Sequence, residues 1–366
     1  MKKKRGLLIS ALVLVILGTI IVIQNFNYSG PSNTIFESTG SDASIISINE
    51  SNTPISSIVE SDGLEFIFND NLDGYIVSIG TCTNPNIVVP SQYHGLPVVE
   101  IGNFIDCYFL VSIVIPNSVT SIENNAFCRC SSLELVIFES ESKLISIGYD
   151  AFKNCTLLGS IEIPGSVTYI GDSAFYGCNS LKYNEYVNCY YLGNKENPYL
   201  LLVGAKDTNV LEVTINENTR IIMYSAFGGC SLLNSIVIPN SVISIGNSAF
   251  ADCISLNSIV MSNSLTTIGS SAFHSCVNLT LIDIPSNVTY IGNNSFMYCR
   301  SLNSVVIPNS VEYIGYYAFY SCSSLIIYCE VSSQPNEWNS DWNYNVGQVY
   351  WSGEWSYVDG VPTPNV

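Results

Sequence analysis

The chain predicts a mainly β repeat solenoid built of units about 23 residues long. Three observations carry that expectation. A phenylalanine followed three residues later by a cysteine returns nine times, at Phe104/Cys107, Phe127/Cys130, Phe152/Cys155, Phe175/Cys178, Phe227/Cys230, Phe250/Cys253, Phe273/Cys276, Phe296/Cys299 and Phe319/Cys322. Seven of the eight intervals are 23 or 25 residues, the exception being the 52 residues from Phe175 to Phe227. A fuller unit surrounds each pair, as in Leu233-x-x-Ile236-x-Ile238-Pro239-x-Ser241-Val242-x-x-Ile245-Gly246-x-x-Ala249-Phe250-x-x-Cys253. Self-similarity at a fixed period marks a stack of like units. Such stacks work by surface.

Each part of the unit has a physical task. Ile-x-Ile places two apolar side chains on one face of a short strand, and the proline that follows ends it because it cannot donate to a ladder. The glycine after a later Ile recurs at Gly102, Gly148, Gly171, Gly246, Gly269, Gly292 and Gly315, with Glu123 breaking the pattern. It predicts a corner that needs either positive φ or close approach to a neighbour. Ala-Phe-x-x-Cys predicts one turn of tight helix or loop with Phe and Cys pointing inward. Burying each inward Phe, Ile or Leu contributes on the order of 1.5 to 3 kcal/mol.

The stretch Leu302-x-x-Val305-x-Ile307-Pro308-x-Ser310-Val311-x-x-Ile314-Gly315-x-x-Ala318-Phe319-x-x-Cys322 resembles the BspA-like type of leucine-rich repeat, and the likeness runs from about Gly63 to Glu330. The resemblance implies a leucine-rich repeat rod with N- and C-terminal caps, a place on a cell surface, and a role in adhesion.

Read in order, residues 1–5 are a basic segment and the apolar run at 6–23 follows it. Its length is near the minimum for crossing a bilayer, and the lysines favour a cytoplasmic N-terminus. The expectation is one transmembrane signal anchor with the repeats outside the cell; a cleaved signal peptide, leaving a secreted protein, is the alternative. Residues 24–61, rich in Ser, Asn, Thr and acids, predict a disordered spacer. Residues 62–100 predict an N-terminal cap, 101–330 the solenoid, and 331–366 an aromatic C-terminal cap and tail that holds all four tryptophans. Registering backward from Phe227 recovers a degenerate unit, so the long gap reduces to an insertion at 182–209. Its two apolar strands around a polar turn predict a β-hairpin projecting from the rod.

The charged groups point away from several functions. Four of the twelve basic residues are Lys2, Lys3, Lys4 and Arg5, which leaves eight cations against thirty acids in the remainder. That charge repels phosphate backbones and anionic lipids, so no nucleic acid is expected as a partner, and a membrane only through the N-terminal segment. His94 and His274 have no recognisable catalytic partner, no phosphate loop follows a strand, and the acids form no pair, so neither an enzyme nor a cofactor is expected. The ladder cysteines run parallel, which is poor disulfide geometry, and no spacing suits zinc. Buried free thiols are expected; a bridge, if present, falls to Cys82, Cys128, Cys189 or Cys329.

Three surfaces are left as candidates for binding. The first is the outward strand face, Val114, Ile137, Glu162, Val237, Val260, Asp283 and Val306, suited to a protein ligand on a host or neighbouring cell. The second is the hairpin, with Tyr186, Tyr190, Tyr191 and Tyr199. The third is the aromatic cap, Trp338, Trp342, Trp351 and Trp355, which either closes the core or offers flat rings to an envelope glycan. The expected function is a surface adhesin or interaction scaffold, with glycan binding or a passive spacer as alternatives.

Overall fold

The computed structural model describes residues 62–365. Before residue 62 only the backbone of five strands is described, Ala11–Ile16, Thr19–Gln24, Asn33–Thr39, Asp42–Ile48 and Pro54–Ser57; the basic segment and the rest of the apolar run at 6–23 and of the spacer at 24–61 lie outside the described residues. Among the described residues no helix is long and apolar enough to cross a membrane. Two compact units are present, one reaching Ser166 and including Ala174–Leu181, the other made of Val167–Ser173 and everything from Lys182 onward. Both are β-solenoids.

In the first unit an antiparallel hairpin, Glu65–Asn69 with Gly74–Ser78, opens the stack. Gly74–Ser78 then pairs parallel with Leu96–Ile101, which pairs with Ser121–Ile122 and through it with Ser146–Ile147. A second parallel sheet runs Asn86–Val88, Ser112–Ile115, Leu135–Phe138, Ser160–Ile161. Each coil thus carries two short strands. The Ile-x-Ile strand is the expected one; the two-residue strand just before the corner glycine is additional. Its register sets like over like, Ser121 on Ser146 and Ile122 on Ile147, because a parallel ladder of identical units satisfies both rows of backbone groups at once.

The second unit repeats the plan. Ile221–Ile222, Ser244–Ile245, Thr267–Ile268, Tyr290–Ile291 and Tyr313–Ile314 form its inner parallel ladder. The Ile-x-Ile side is more broken, with Ser235–Val237 paired to Ser258–Val260, single bridges through Leu281, and a three-strand run of Ser304–Ile307, Ile326–Cys329 and Gln348–Tyr350.

The insertion at 182–209 does not project. Asn184–Tyr186, Cys189–Leu192 and Leu201–Ala205 form an antiparallel meander whose last strand pairs parallel with Ile221–Ile222, so it joins the ladder as its first layer. Its apolar residues decide this: Cys189, Tyr191, Leu192 and Leu200 to Leu202 are all buried. Left projecting, they would be exposed to water. The first unit starts the same way, from an antiparallel hairpin feeding a parallel ladder.

The corner glycines separate the two possibilities the sequence left open. Gly246, Gly269, Gly292 and Gly315 lie outside the left-handed region and are required by crowding. A Cβ on Gly269 would fall 2.5 Å from the carbonyl carbon of Gly246, and one on Gly315 would fall 2.5 Å from the amide nitrogen of Asn293. Positive φ belongs to the residues flanking Ala-Phe, as at Ser248 (55°) and Asp252 (59°), where the segment is an irregular turn and not a helix. Small or Asx side chains, which tolerate that conformation, fill most of these places.

The Phe column is the spine of each core. Ring centroids of Phe227, Phe250, Phe273, Phe296 and Phe319 follow one another at 5.1, 5.2, 5.3 and 5.0 Å, with planes within 17° of parallel. In the first unit Phe104, Phe127, Phe152 and Phe175 stack at 5.3, 5.1 and 5.5 Å. Such pairs contribute about 0.5 to 1.5 kcal/mol beyond area burial. The Phe amides continue the pairing: that of Phe250 donates to the carbonyl of Ala272 at 2.8 Å, and that of Phe273 to Ser295 at 2.7 Å.

All thirteen cysteines are free thiols and all are buried. The ladder thiols donate to the Phe carbonyl one coil earlier, Cys253 to Phe227 at 3.1 Å, Cys276 to Phe250 at 3.2 Å, Cys299 to Phe273 at 3.1 Å and Cys322 to Phe296 at 3.1 Å. Cysteine suits the position because it is a small hydrophobe with one weak donor.

Candidate binding surface

The strand-face residues split by unit and by neighbour. Val114 is buried and Ile137 half-buried, while Glu162 and Asp283 are exposed and polar. Val237 and Val260 are 62% and 59% exposed, and they sit directly opposite one another in the ladder. Leu281, at the place that Ser235, Ser258 and Ser304 hold in other coils, adds a third exposed apolar side chain at 55%. Val306 is half-buried, and next to it in register Tyr328 is covered, its ring 5.6 Å from Tyr350 and 5.3 Å from Trp355. The open part of the stripe is therefore Val237, Val260 and Leu281, of which the Ile-x-Ile spacing marks only the two valines.

The hairpin tyrosines are largely structural. Tyr191 is fully buried and its hydroxyl accepts from the Asn216 amide at 3.3 Å. Burial pushes that phenol well above its usual pKa. Tyr186 and Tyr199 pack half-buried against the same core, their rings 5.6 Å apart. Tyr190, also half-buried, lies under Lys206, whose ammonium is 5.6 Å from the ring centre.

The tryptophan cluster closes the last core layer. Trp342 is fully buried and meets Phe319 edge-on at 5.9 Å; Trp338, 2% exposed, meets Trp342 at 5.1 Å. Their indole N–H groups donate inward, Trp338 to the Val311 carbonyl at 3.1 Å and Trp342 to Gln334 Oε1 at 3.3 Å. Trp351 and Trp355 are half-buried, and Trp355 donates to the Cys329 carbonyl at 3.0 Å. The expectation that Trp338 and Trp342 could offer ring faces to a glycan is overturned, because a column of stacked Phe rings ends in an open apolar face that they cover.

A run of tyrosines beside the cap does reach the surface. Tyr298, Tyr316, Tyr317, Tyr320 and Tyr344 form one run of rings with centroid separations from 3.7 to 5.9 Å. Tyr316 and Tyr344 are 41% and 56% exposed. His274 meets Tyr298 edge-on at 5.6 Å, and its Nδ1 is 3.1 Å from Ser275 Oγ. His94 lies in the first unit against Tyr93 at 4.2 Å.

Ion pairs are few among the described residues. Arg129 clamps Asp106 through Nε and Nη2, both at 2.6 Å, and Tyr108 donates its hydroxyl to the same carboxylate at 2.7 Å. The guanidinium first, and the phenol second, hold that carboxyl down at about 2. Among the described residues no group of three or more His, Cys, Asp or Glu side chains is placed to hold a metal ion.

No curated protein matches the chain. Among solved structures it is similar to a leucine rich cell surface protein of Faecalibacterium prausnitzii, with 24% identity, 81% of this chain and 99% of that one covered, and a TM-score of 0.39. A leucine-rich repeat protein of Bacteroides ovatus matches at 22% identity, 79% and 89% coverage and a TM-score of 0.31, and the pneumococcal vaccine antigen PcpA at 18%, 75%, 93% and 0.35. Six copies of the model described as BspA type leucine rich repeat region match residues 99–195 and 205–326, and the chain belongs to that family.

Proposed function

We propose that this chain is a non-catalytic surface protein that binds a protein ligand through the outward strand stripe of its second unit. One observation carries the reading: Val237, Val260 and Leu281 stand 62%, 59% and 55% exposed on successive coils. An apolar strip held open on a rigid parallel ladder favours contact with another protein. Family membership supports the surface location, and the apolar run at 6–23 supports a tether to the membrane with the repeats outside.

The test is capture of partners from host-matrix and cell-envelope extracts by the full chain, compared with the Val237→Lys, Val260→Lys double variant. A saturable partner retained by the parent and lost by the variant, with thermal unfolding unchanged, supports the proposal. Equal capture by both proteins moves binding off the stripe, and no saturable partner at all favours a passive spacer.

A further inference from the structure

The five coils of the second unit that carry Phe227, Phe250, Phe273, Phe296 and Phe319 each hold two residues in the left-handed region, on either side of the Ala-Phe pair or the residues in that place. In most coils these are Ser, Asn, Asp or Gly: Ser225 and Gly229, Ser248 and Asp252, Ser271 and Ser275. Such residues adopt positive φ with little strain, and large aromatic ones do not. Tyr298 (64°) and Tyr317 (54°) break the rule, and both belong to the surface run of tyrosines. At the equivalent places of the first unit the large exception is Arg129, which its ion pair with Asp106 explains. Both are half-buried, and what they pack against is the other rings of the run, Tyr317 on Tyr316 and Tyr320, and Tyr298 on Tyr320. Backbone strain that serves a surface row of rings, and not the buried core, points to use of that row.

The run has the form of a platform. Tyr316 lies on Tyr317 at 3.7 Å, Tyr317 on Tyr320 at 4.7 Å, and Tyr320 on Tyr344 at 5.9 Å, with interplanar angles of 21°, 25° and 11°. The two exposed members, Tyr316 and Tyr344, stand at the ends of this sequence. Arg300 is exposed with its guanidinium carbon 5.5 Å from the Tyr298 ring centre, and it forms no ion pair among the described residues. It is a local positive group on a chain whose excess of acids otherwise repels anions, so an anion held here needs this one side chain. Asp341, exposed, acts electrostatically on Tyr317 and offers an acceptor to hydroxyl groups.

We infer that this ridge is a binding platform for an acidic oligosaccharide, with pyranose rings on the open tyrosine faces and a sugar carboxylate on Arg300. Sugar C–H faces suit flat aromatic rings, and the guanidinium fork matches a carboxylate. This site is distinct from the valine stripe and binds a different class of ligand.

The full chain in detergent micelles is titrated calorimetrically with hexagalacturonate and with sialyllactose as acidic probes, and with a neutral galactan hexamer as the third arm. At least one acidic probe is expected to bind with Kd below about 1 mM, and at least about tenfold more tightly than the neutral hexamer. Tyr344→Ser and Tyr298→Asn are each expected to weaken that binding at least about tenfold, and Arg300→Gln to abolish the preference over the neutral sugar. Because all three positions are exposed or half-buried, Tm is expected to shift by less than about 3 °C. Arg300→Gln, a change on an exposed side chain, keeps the test decisive if a tyrosine variant misfolds. Absence of binding to both acidic probes at about 10 mM overturns the inference. So does equal binding of the neutral hexamer, or binding that Arg300→Gln leaves unchanged.

Discussion

The thiol of Cys276 donates to the carbonyl oxygen of Phe250, one coil earlier, at 3.2 Å, while the amide of Cys253 donates to the same oxygen at 3.3 Å. Each Phe carbonyl followed by a further Phe-Cys coil in its column thus receives one amide from its own turn and one thiol from the next coil. The sulfur column is a row of inter-coil hydrogen bonds laid inside an apolar core, which explains why cysteine recurs where alanine or valine would also fit by size.

Cys276→Ala removes both the sulfur and the second donor to Phe250, while the amide bond remains. The expected loss is about 1 to 2 kcal/mol, from lost burial and one weak hydrogen bond. Guanidinium unfolding monitored by tryptophan fluorescence should show a lower midpoint with an unchanged slope. A midpoint equal to the parent's would mean the thiol bond contributes nothing.

Burial pushes Cys253, Cys322 and Cys329 up to about 12, and Cys276 and Cys299 also well upward. In the unfolded chain a thiol ionises near 8.5. A group whose folded value is raised favours the native state fully below the unfolded value. That contribution is then lost as pH rises, because the unfolded chain releases the proton first. Stability should therefore fall between about pH 8.5 and 12, by up to about 1.4 kcal/mol per pH unit for each such thiol. Tm measured from pH 7 to 11 tests the slope, and a flat profile contradicts it. At pH 8 iodoacetamide should label these thiols only after denaturation.

Gly269→Ala would place a methyl 2.5 Å from the Gly246 carbonyl carbon and 2.6 Å from the Asn247 amide nitrogen. Neither is the end of a flexible side chain, so the coils must separate locally. Overpacking of this kind costs about 1 to 3 kcal/mol. Gly229→Ala is the contrasting case, with open space around the added methyl but a φ of 74°. Its cost is conformational alone, about 1 to 2 kcal/mol. Relief of the Gly269→Ala defect by Gly246→Ala would be inconsistent with this account, since the clash is with backbone.

Trp342→Ala uncovers Phe319 and leaves the last core layer open. Large-to-small changes at fully buried aromatic sites cost about 3 to 5 kcal/mol. The expected signature is loss of amide-exchange protection concentrated in the C-terminal coils, around Ile314 and Phe319, with the first unit unaffected. Uniform loss across both units would refute the cap assignment.

The repeat period, the inward Phe and Cys columns, the proline-terminated strand and the corner glycine were legible because each is set by local pattern. A side chain that must fit the same place in every coil recurs at the same interval. The second, two-residue strand was not legible, since Ser-Ile before a glycine carries no alternation long enough to identify a strand. The insertion was legible as strands but not in its placement. Whether Tyr191 faces water or core depends on Leu202 pairing beside Ile222, a partnership between residues in different coils.

The candidate surfaces show the same division. Val237 and Val260 follow from the Ile-x-Ile spacing; Trp338 and Trp342 were equally compatible with a closed core or an open platform until the end of the Phe column was seen beneath them. The tyrosine ridge left a faint trace, in that Tyr298 and Tyr317 occupy places where other coils carry Ser, Asn, Asp or Gly. By itself the sequence determined a stack of coils with a dry interior of aromatic and sulfur columns, because periodic burial is a property of each unit. Which aromatic rings end in water was decided only by tertiary structure, because exposure depends on what the neighbouring coil and the two caps happen to cover.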